Sequence, residues 1–179
     1  MSLVPGSAFV TGGGSGIGRA IAVALAAAGA PVAVFDVQAE GAKETVQAIE
    51  RGGGRAFAIT GDASRWADVD GAVAAAVGRL GPLAIMVNAA GILDGYAPAD
   101  ELTPPVFERV VAINLTGTFI GAKRALVEML ARGRGRIVNI ASVAGLVGDG
   151  GGRPTSPPST AWSGSPSSSR SATPRAASR

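Results

Sequence analysis

Neither cysteine nor histidine occurs among the 179 residues, and the chain has one tyrosine, Tyr96, and two lysines, Lys43 and Lys123. Without cysteine there is neither a disulfide framework nor a thiolate metal site. Without histidine the commonest general base and metal ligand is missing, so no metal-ligating set is read. Long apolar runs are also lacking: nothing approaches the roughly 18 residues of a membrane span. The amino terminus, MSLVPGS, has no basic segment followed by an apolar one. A cytoplasmic protein with no membrane segment is the expectation.

Acidic residues are missing from one part of the chain only. Residues 153–179 hold four arginines and no Asp or Glu, while residues 1–152 hold 12 basic and 13 acidic side chains, giving −1. The sequence pI of 10.2 therefore belongs to the tail, and reading nucleic-acid binding from the overall charge would misplace it. The length suits one domain.

Glycine is plentiful, and its densest informative cluster is Val10 to Ala20, VTGGGSGIGRA. The apolar, β-prone run Ser7–Val10 precedes it. Ile17, Ile21, Ala24, Leu25 and Ala28 follow at the spacing of one helix face, closed by Gly29. In a strand–turn–helix context Gly12 suits the tight turn, Gly16 lets a pyrophosphate approach the backbone, and Gly18 lets the helix pack closely on the strand. The helix N-terminus offers unpaired N–H groups and partial positive charge to phosphates. A mononucleotide loop would need Lys and Ser or Thr after the last glycine, but Arg19 and Ala20 stand there.

Pro31–Val37 reads as the second strand and places Asp36 18 residues after Gly18. That is near the roughly 20-residue spacing at which a carboxylate accepts hydrogen bonds from a dinucleotide's ribose. The same carboxylate repels a 2′-phosphate, so NAD is favoured over NADP; capping of the next helix is the alternative role for Asp36. Gln38–Arg51 reads as a helix with Ala42, Val46 and Ile49 inward, and Arg55–Thr60 as a third strand. Asp62 and Ser64 then open a helix whose face is Trp66, Val69, Val73, Val77 and Leu80. Leu83–Val87 is a strand-length apolar run of the kind covered on both faces, followed by Asn88-Ala89-Ala90-Gly91. From Pro104, Val106, Val110 and Ile113 share an apolar face, and the pattern continues through Leu115, Phe119, Leu126, Met129 and Leu130 to Gly133. Arg136–Ala141 is the fifth strand and delivers Ser142 at its carboxyl end, where ligands bind in open parallel sheets.

The glycine turn TG-x-x-x-G-I-G, Asp36, NAAG, the Asn114 of INLTG and Ser142, in this order, resemble the amino-terminal part of the short-chain dehydrogenase/reductase family over about residues 3–150. The resemblance implies an α/β fold, a Rossmann-type doubly wound parallel sheet of which about five strands are present, in residues 1–149. It implies an NAD(H)-dependent oxidoreductase that interconverts a secondary alcohol and a ketone, with a small-molecule substrate. Gly12, Ser15, Gly16, Ile17, Gly18, Asp36, Asp62, Ala63, Asn88, Ala89 and Gly91 would then surround the cofactor. In that assignment Asp62 meets the adenine amino group and Asn88 steadies the sheet. Ser142 bonds the substrate oxygen, and Asn114 is the asparagine of the catalytic tetrad. Alone, Asp62 and Ser142 would read as capping or turn residues, and Asn114 as a locally bonded polar residue.

The family's Tyr-x-x-x-Lys pair, expected about a dozen residues after Ser142, is absent. Residues 150–179 are mostly Ser, Pro, Gly, Ala, Thr and Arg, without helical or alternating apolar period; they read as a disordered tail. Four arginines without an aromatic array make a weak case for RNA. Codon phase offers a more economical account. Read from the third base of each codon, the Pro154/Thr155 junction can encode tyrosine and the Pro158/Ser159 junction lysine. The stretch from Arg153 to Thr173 can then be decoded as AYIASKHGVVGLTKQLAVRY. The expectation is a frameshift near Gly150 to Arg153 with early termination, leaving a non-catalytic dinucleotide-binding module as the alternative function. Family dimers use the helix that carries the pair, so that interface is expected to be lost.

Overall fold

The computed structural model describes residues 5–95 and 100–142. Five strands alternate with helices: β1 (Ser7–Thr11), α1 (Gly16–Ala27), β2 (Val32–Asp36), α2 (Ala39–Arg51), β3 (Ala56–Thr60), α3 (Trp66–Leu80) and β4 (Leu83–Asn88). Then come α4 (Pro104–Val111), a π-helical segment (Ala112–Gly117), α5 (Thr118–Leu130) and β5 (Arg136–Asn139). All pairings are parallel and the strand order is β3-β2-β1-β4-β5. The order reverses direction at β1, so the crevice between the carboxyl ends of β1 and β4 is the topological switch point at which such sheets bind ligands.

Each central strand is apolar on both faces because both are covered. Phe9, Phe35, Leu83 and Met86 pack with Val69, Val73, Ile120 and Met129 on one side. Ala8, Val10, Val32, Val34, Ile85 and Val87 pack with Ala22, Ala26 and Ile49 on the other. The register sets Phe9 beside Ala33 and Met86, and Val10 beside Val34 and Val87, so the alternation of each strand feeds the same two cores.

Two helix faces differ from the expectation. In α1 the buried residues are Gly18, Ala22 and Ala26, whereas Ile17 is 64% exposed and Ala24 and Ala28 are exposed. The fully buried line is made of the smallest residues because the helix lies close against the sheet, while Ile21, Val23 and Leu25 pack half-buried at its sides. In α5 the buried residues are Thr118, Ile120, Gly121, Arg124, Ala125 and Met129, while Phe119, Leu126 and Leu130 face out. A Cβ on Gly121 would overlap Asn88 Oδ1, and one on Gly117 would sit 3.2 Å from the Ala63 carbonyl oxygen. Close approach selected glycine on the buried face, so the more hydrophobic face is the outer one. Val106 and Trp66, expected inward, are also about 40% exposed (40% and 42%).

The rod from Pro104 to Leu130 is long and apolar enough to cross a membrane by length and composition. It nevertheless packs along β4, β5 and α3 and carries Glu108, Arg109, Lys123, Arg124 and Glu128, as a sheet-covering helix does. Buried Arg124 ties it to α3 through Asp70 (2.6 Å) and to its own next turn through Glu128 (2.9 Å). β5 ends at Asn139, two residues earlier than the pattern suggests.

Candidate dinucleotide site

The turn after β1 is built by close backbone approach. Gly12 has φ +65°, and a Cβ there would lie 2.7–2.9 Å from the backbone of Ala89 and Ala90. A Cβ on Gly18 would overlap the Gly12 carbonyl oxygen, so the first turn of α1 packs on the glycine turn itself, more than on the strand. Thr11 joins this turn to NAAG: its Oγ1 accepts the N–H groups of Ala89 and Ala90, both at 3.1 Å. The polar side chain at this strand end thus satisfies two amides at once, a role that residue type alone does not reveal.

Arg19 and Thr45 secure the far side of the turn. Arg19 Nε donates to the Gly14 carbonyl (3.1 Å) and to Thr45 Oγ1 (3.0 Å), and its Nη2 pairs with Glu44 at 2.9 Å. The Thr45 hydroxyl lies 2.9 Å from the Gly13 carbonyl oxygen. With these carbonyls engaged on the α2 side, the start of α1 remains open: Ser15 is exposed, makes no side-chain cap bond, and nothing lies within 4 Å of a Cβ built on Gly16. Unpaired N–H groups at such a terminus suit an anion.

Asp36 closes the next side. Its Oδ2 accepts the Gly14 N–H at 2.8 Å and its Oδ1 the Gln38 N–H at 2.9 Å. It does not cap α2, whose N-cap is Gln38. At the end of β3, Asp62 Oδ1 accepts both the backbone N–H (2.8 Å) and the hydroxyl (2.6 Å) of Ser64, and Oδ2 accepts Arg109 Nη2 at 3.0 Å. Burial opposes its ionisation, but the Ser64 bonds and the Arg109 guanidinium outweigh that and hold the carboxyl below the ordinary carboxylate range. Neither Asp62 nor Ser64 caps α3, whose N-cap is Arg65.

These residues enclose one cleft of about 320 Å³. Among the residues named from sequence, Gly12, Ser15, Gly16, Ile17, Gly18, Asp36, Asp62, Ala63, Ala89 and Gly91 all line it. Asn88 lies beneath the floor, 3% exposed, and donates from Nδ2 to Asn139 Oδ1 at 2.8 Å, joining β4 to β5. Asn114 sits in the π-helical segment behind the wall residue Ile92. Its Oδ1 accepts the Ile92 N–H and its Nδ2 donates to the Ile92 carbonyl, both at 2.9 Å. Ser142 is exposed, three residues past β5. Ala90 of the NAAG segment lines the cleft too, and Phe35, Val37, Ile92, Arg109 and Ile113 also line it and escape sequence reading. Ile92 could have been read from its place directly after NAAG, whereas Arg109 carries no local signal. Tyr96 and the 150–179 tail lie outside the described residues.

Comparison with known proteins agrees with this architecture. The short chain dehydrogenase family matches over residues 7–154. The chain belongs to the short-chain dehydrogenase family. It is 41% identical over 139 residues to a 2-(S)-hydroxypropyl-CoM dehydrogenase of Xanthobacter autotrophicus, covering 78% of this chain and 54% of that protein. It is also 41% identical over 144 residues to a levodione reductase of Leifsonia aquatica, covering 79% and 54%. Among solved structures, an NAD⁺-bound xylitol dehydrogenase superposes with a TM-score of 0.78 at 32% identity, covering 84% of this chain and 56% of that one. The chain thus spans about half the length of the curated relatives it matches.

Proposed function

We propose that the cleft binds NAD(H), and that the chain derives from an oxidoreductase interconverting a small secondary alcohol and a ketone in the cytoplasm. One observation carries the cofactor reading: Asp36 ends β2 with its carboxylate steered by two backbone N–H groups, beside an open helix N-terminus. A carboxylate so placed accepts hydrogen bonds from both ribose hydroxyls and disfavours the 2′-phosphate of NADP. The N–H groups at the start of α1 would hold the pyrophosphate, with Gly12, Gly16 and Gly18 leaving the space, and Asp62 would meet the adenine. Bound there, the nicotinamide supplies hydride chemistry. Ser142 would bond the substrate oxygen, and Asn114 would keep Ile92 and the loop after β4 in place.

A second reading is favoured by the sequence beyond Ser142. No Tyr-x-x-x-Lys occurs there, and residues 155–179 fall outside the family match. A positioned proton donor contributes roughly 10²–10⁴-fold to such reactions, so a chain without it acts as a dinucleotide-binding module. The change of character after residue 150 accords with a frameshift near Gly150 to Arg153, which nucleotide sequencing across that point decides: codons incompatible with the shifted decoding reject it. Fluorescence titration with NADH tests the binding reading, and absence of saturable binding rejects it. Turnover of a ketone panel with NADH tests the module reading; activity abolished by Asp36→Ala would refute it.

A further inference from the structure

Arg109 projects from α4 to the opposite rim of the cleft. Its Nη2 donates to Asp62 Oδ2 at 3.0 Å and its Nη1 to Ser64 Oγ at 3.2 Å, so one planar guanidinium bridges α4 to two polar side chains of the β3–α3 loop. Little else holds this part of α4 down by burial, because residues 104–109 are all exposed and Val110 is the first buried residue. Arg109, Asp62 and Ala63 are walls of the same cleft. Asp62 offers about four lone-pair positions in its carboxylate plane. Two donors from Ser64 engage Oδ1 and one from Arg109 engages Oδ2, which leaves a single acceptor position on Oδ2 in a fixed orientation.

We propose that Arg109 is a positioning residue that latches α4 onto the β3–α3 loop and orients Asp62 to accept the exocyclic amino group of an aminopurine. The inference rests on the dinucleotide reading above and adds base selectivity to it. Adenine donates an N–H at this position. Hypoxanthine presents a carbonyl oxygen there, an acceptor facing a carboxylate, so the oriented Asp62 rejects it. Without Arg109 the carboxylate is held only through Oδ1 by Ser64, so Oδ2 swings about that anchor and the selectivity falls.

The test compares NADH with its reduced hypoxanthine analogue by fluorescence titration of the full chain and of Arg109→Leu, Arg109→Lys and Asp62→Asn. Unmodified protein prefers NADH. Arg109→Leu weakens NADH about two- to fivefold, the range for a partly exposed ion pair, and removes most of the preference, while Arg109→Lys restores part of it. Asp62→Asn removes the preference too, and combining it with Arg109→Leu adds little, because the two act through one contact. The unfolding midpoint of Arg109→Leu moves by no more than about 2 °C, as for other exposed substitutions. A preference that survives Arg109→Leu in a chain that binds NADH overturns the latch alone. No saturable NADH binding by the unmodified chain overturns the dinucleotide reading and the latch with it.

Discussion

The Gly14 N–H donates to Asp36 Oδ2 at 2.8 Å, so the carboxylate that ends β2 also holds the glycine turn that follows β1. A Cβ on Gly14 would lie 2.7 Å from that same oxygen. Turn and carboxylate therefore form one unit, and the shape of the cleft depends on both.

Asp36→Ala removes an ionised acceptor from the turn and from the proposed ribose contact. Hydrogen bonds to charged groups contribute about 1.5–3 kcal/mol, so NADH affinity falls roughly 10- to 100-fold by fluorescence titration. NADPH, no longer repelled, binds the variant as well as NADH does. Retained discrimination against NADPH would show that another residue sets the preference.

Thr11→Val leaves the Ala89 and Ala90 amides without their acceptor. A fully buried unsatisfied donor costs about 1–3 kcal/mol; these two amides are half-buried, so urea unfolding should show a loss of about 1–3 kcal/mol for the pair, with the NADH affinity falling in parallel because the two loops lose their common bond.

Gly121→Ala drives a methyl group into the Asn88 amide, which is held by Asn139 and cannot withdraw. Overpacking of this kind costs about 1–3 kcal/mol, and each kcal/mol lowers Tm by about 2–4 °C at this size. Gly71 and Gly78 in α3 face open space, so Gly78→Ala instead stabilises by about 0.5–1 kcal/mol. Calorimetry on the two variants should therefore move Tm in opposite directions.

Asp62 has a folded-state pKa below the ordinary value of 3.8. Its bonds to Ser64 and Arg109 thus contribute stability that is fully present above the unfolded-state value and is lost as pH falls through the folded-state value. The stability difference between the unmodified chain and Asp62→Asn should be constant across neutral pH and shrink only below about pH 3.8. A difference that disappears between pH 5 and 7 would mean that other groups control it.

The order of elements was legible because each strand is a compact apolar run and each turn carries glycine or a polar cluster. Ten of the eleven residues named around the cofactor line one cleft, since the glycine turn, Asp36, Asp62 and NAAG all stand at carboxyl ends of neighbouring parallel strands. Periodicity placed Ile21, Leu25 and Met129 against the core but missed the rest of the α1 and α5 faces for one reason: where backbones approach closely, glycine and alanine make the contact and larger apolar residues are left outside. Ile17, named both for the apolar helix face and for the cofactor site, takes only the second role and walls the cleft.

The sequence by itself determined the α/β order, the strand-end positions of the polar residues and that no Tyr-x-x-x-Lys stands among these 179 residues, because these follow from local pattern and residue identity. Only the tertiary structure decided that Thr11 serves two amides 78 and 79 residues away, that Asp36 braces Gly14, and that Arg109 meets Asp62 across 47 residues of chain. Such pairings depend on the sheet order β3-β2-β1-β4-β5, which brings distant strand ends together and which no local spacing encodes.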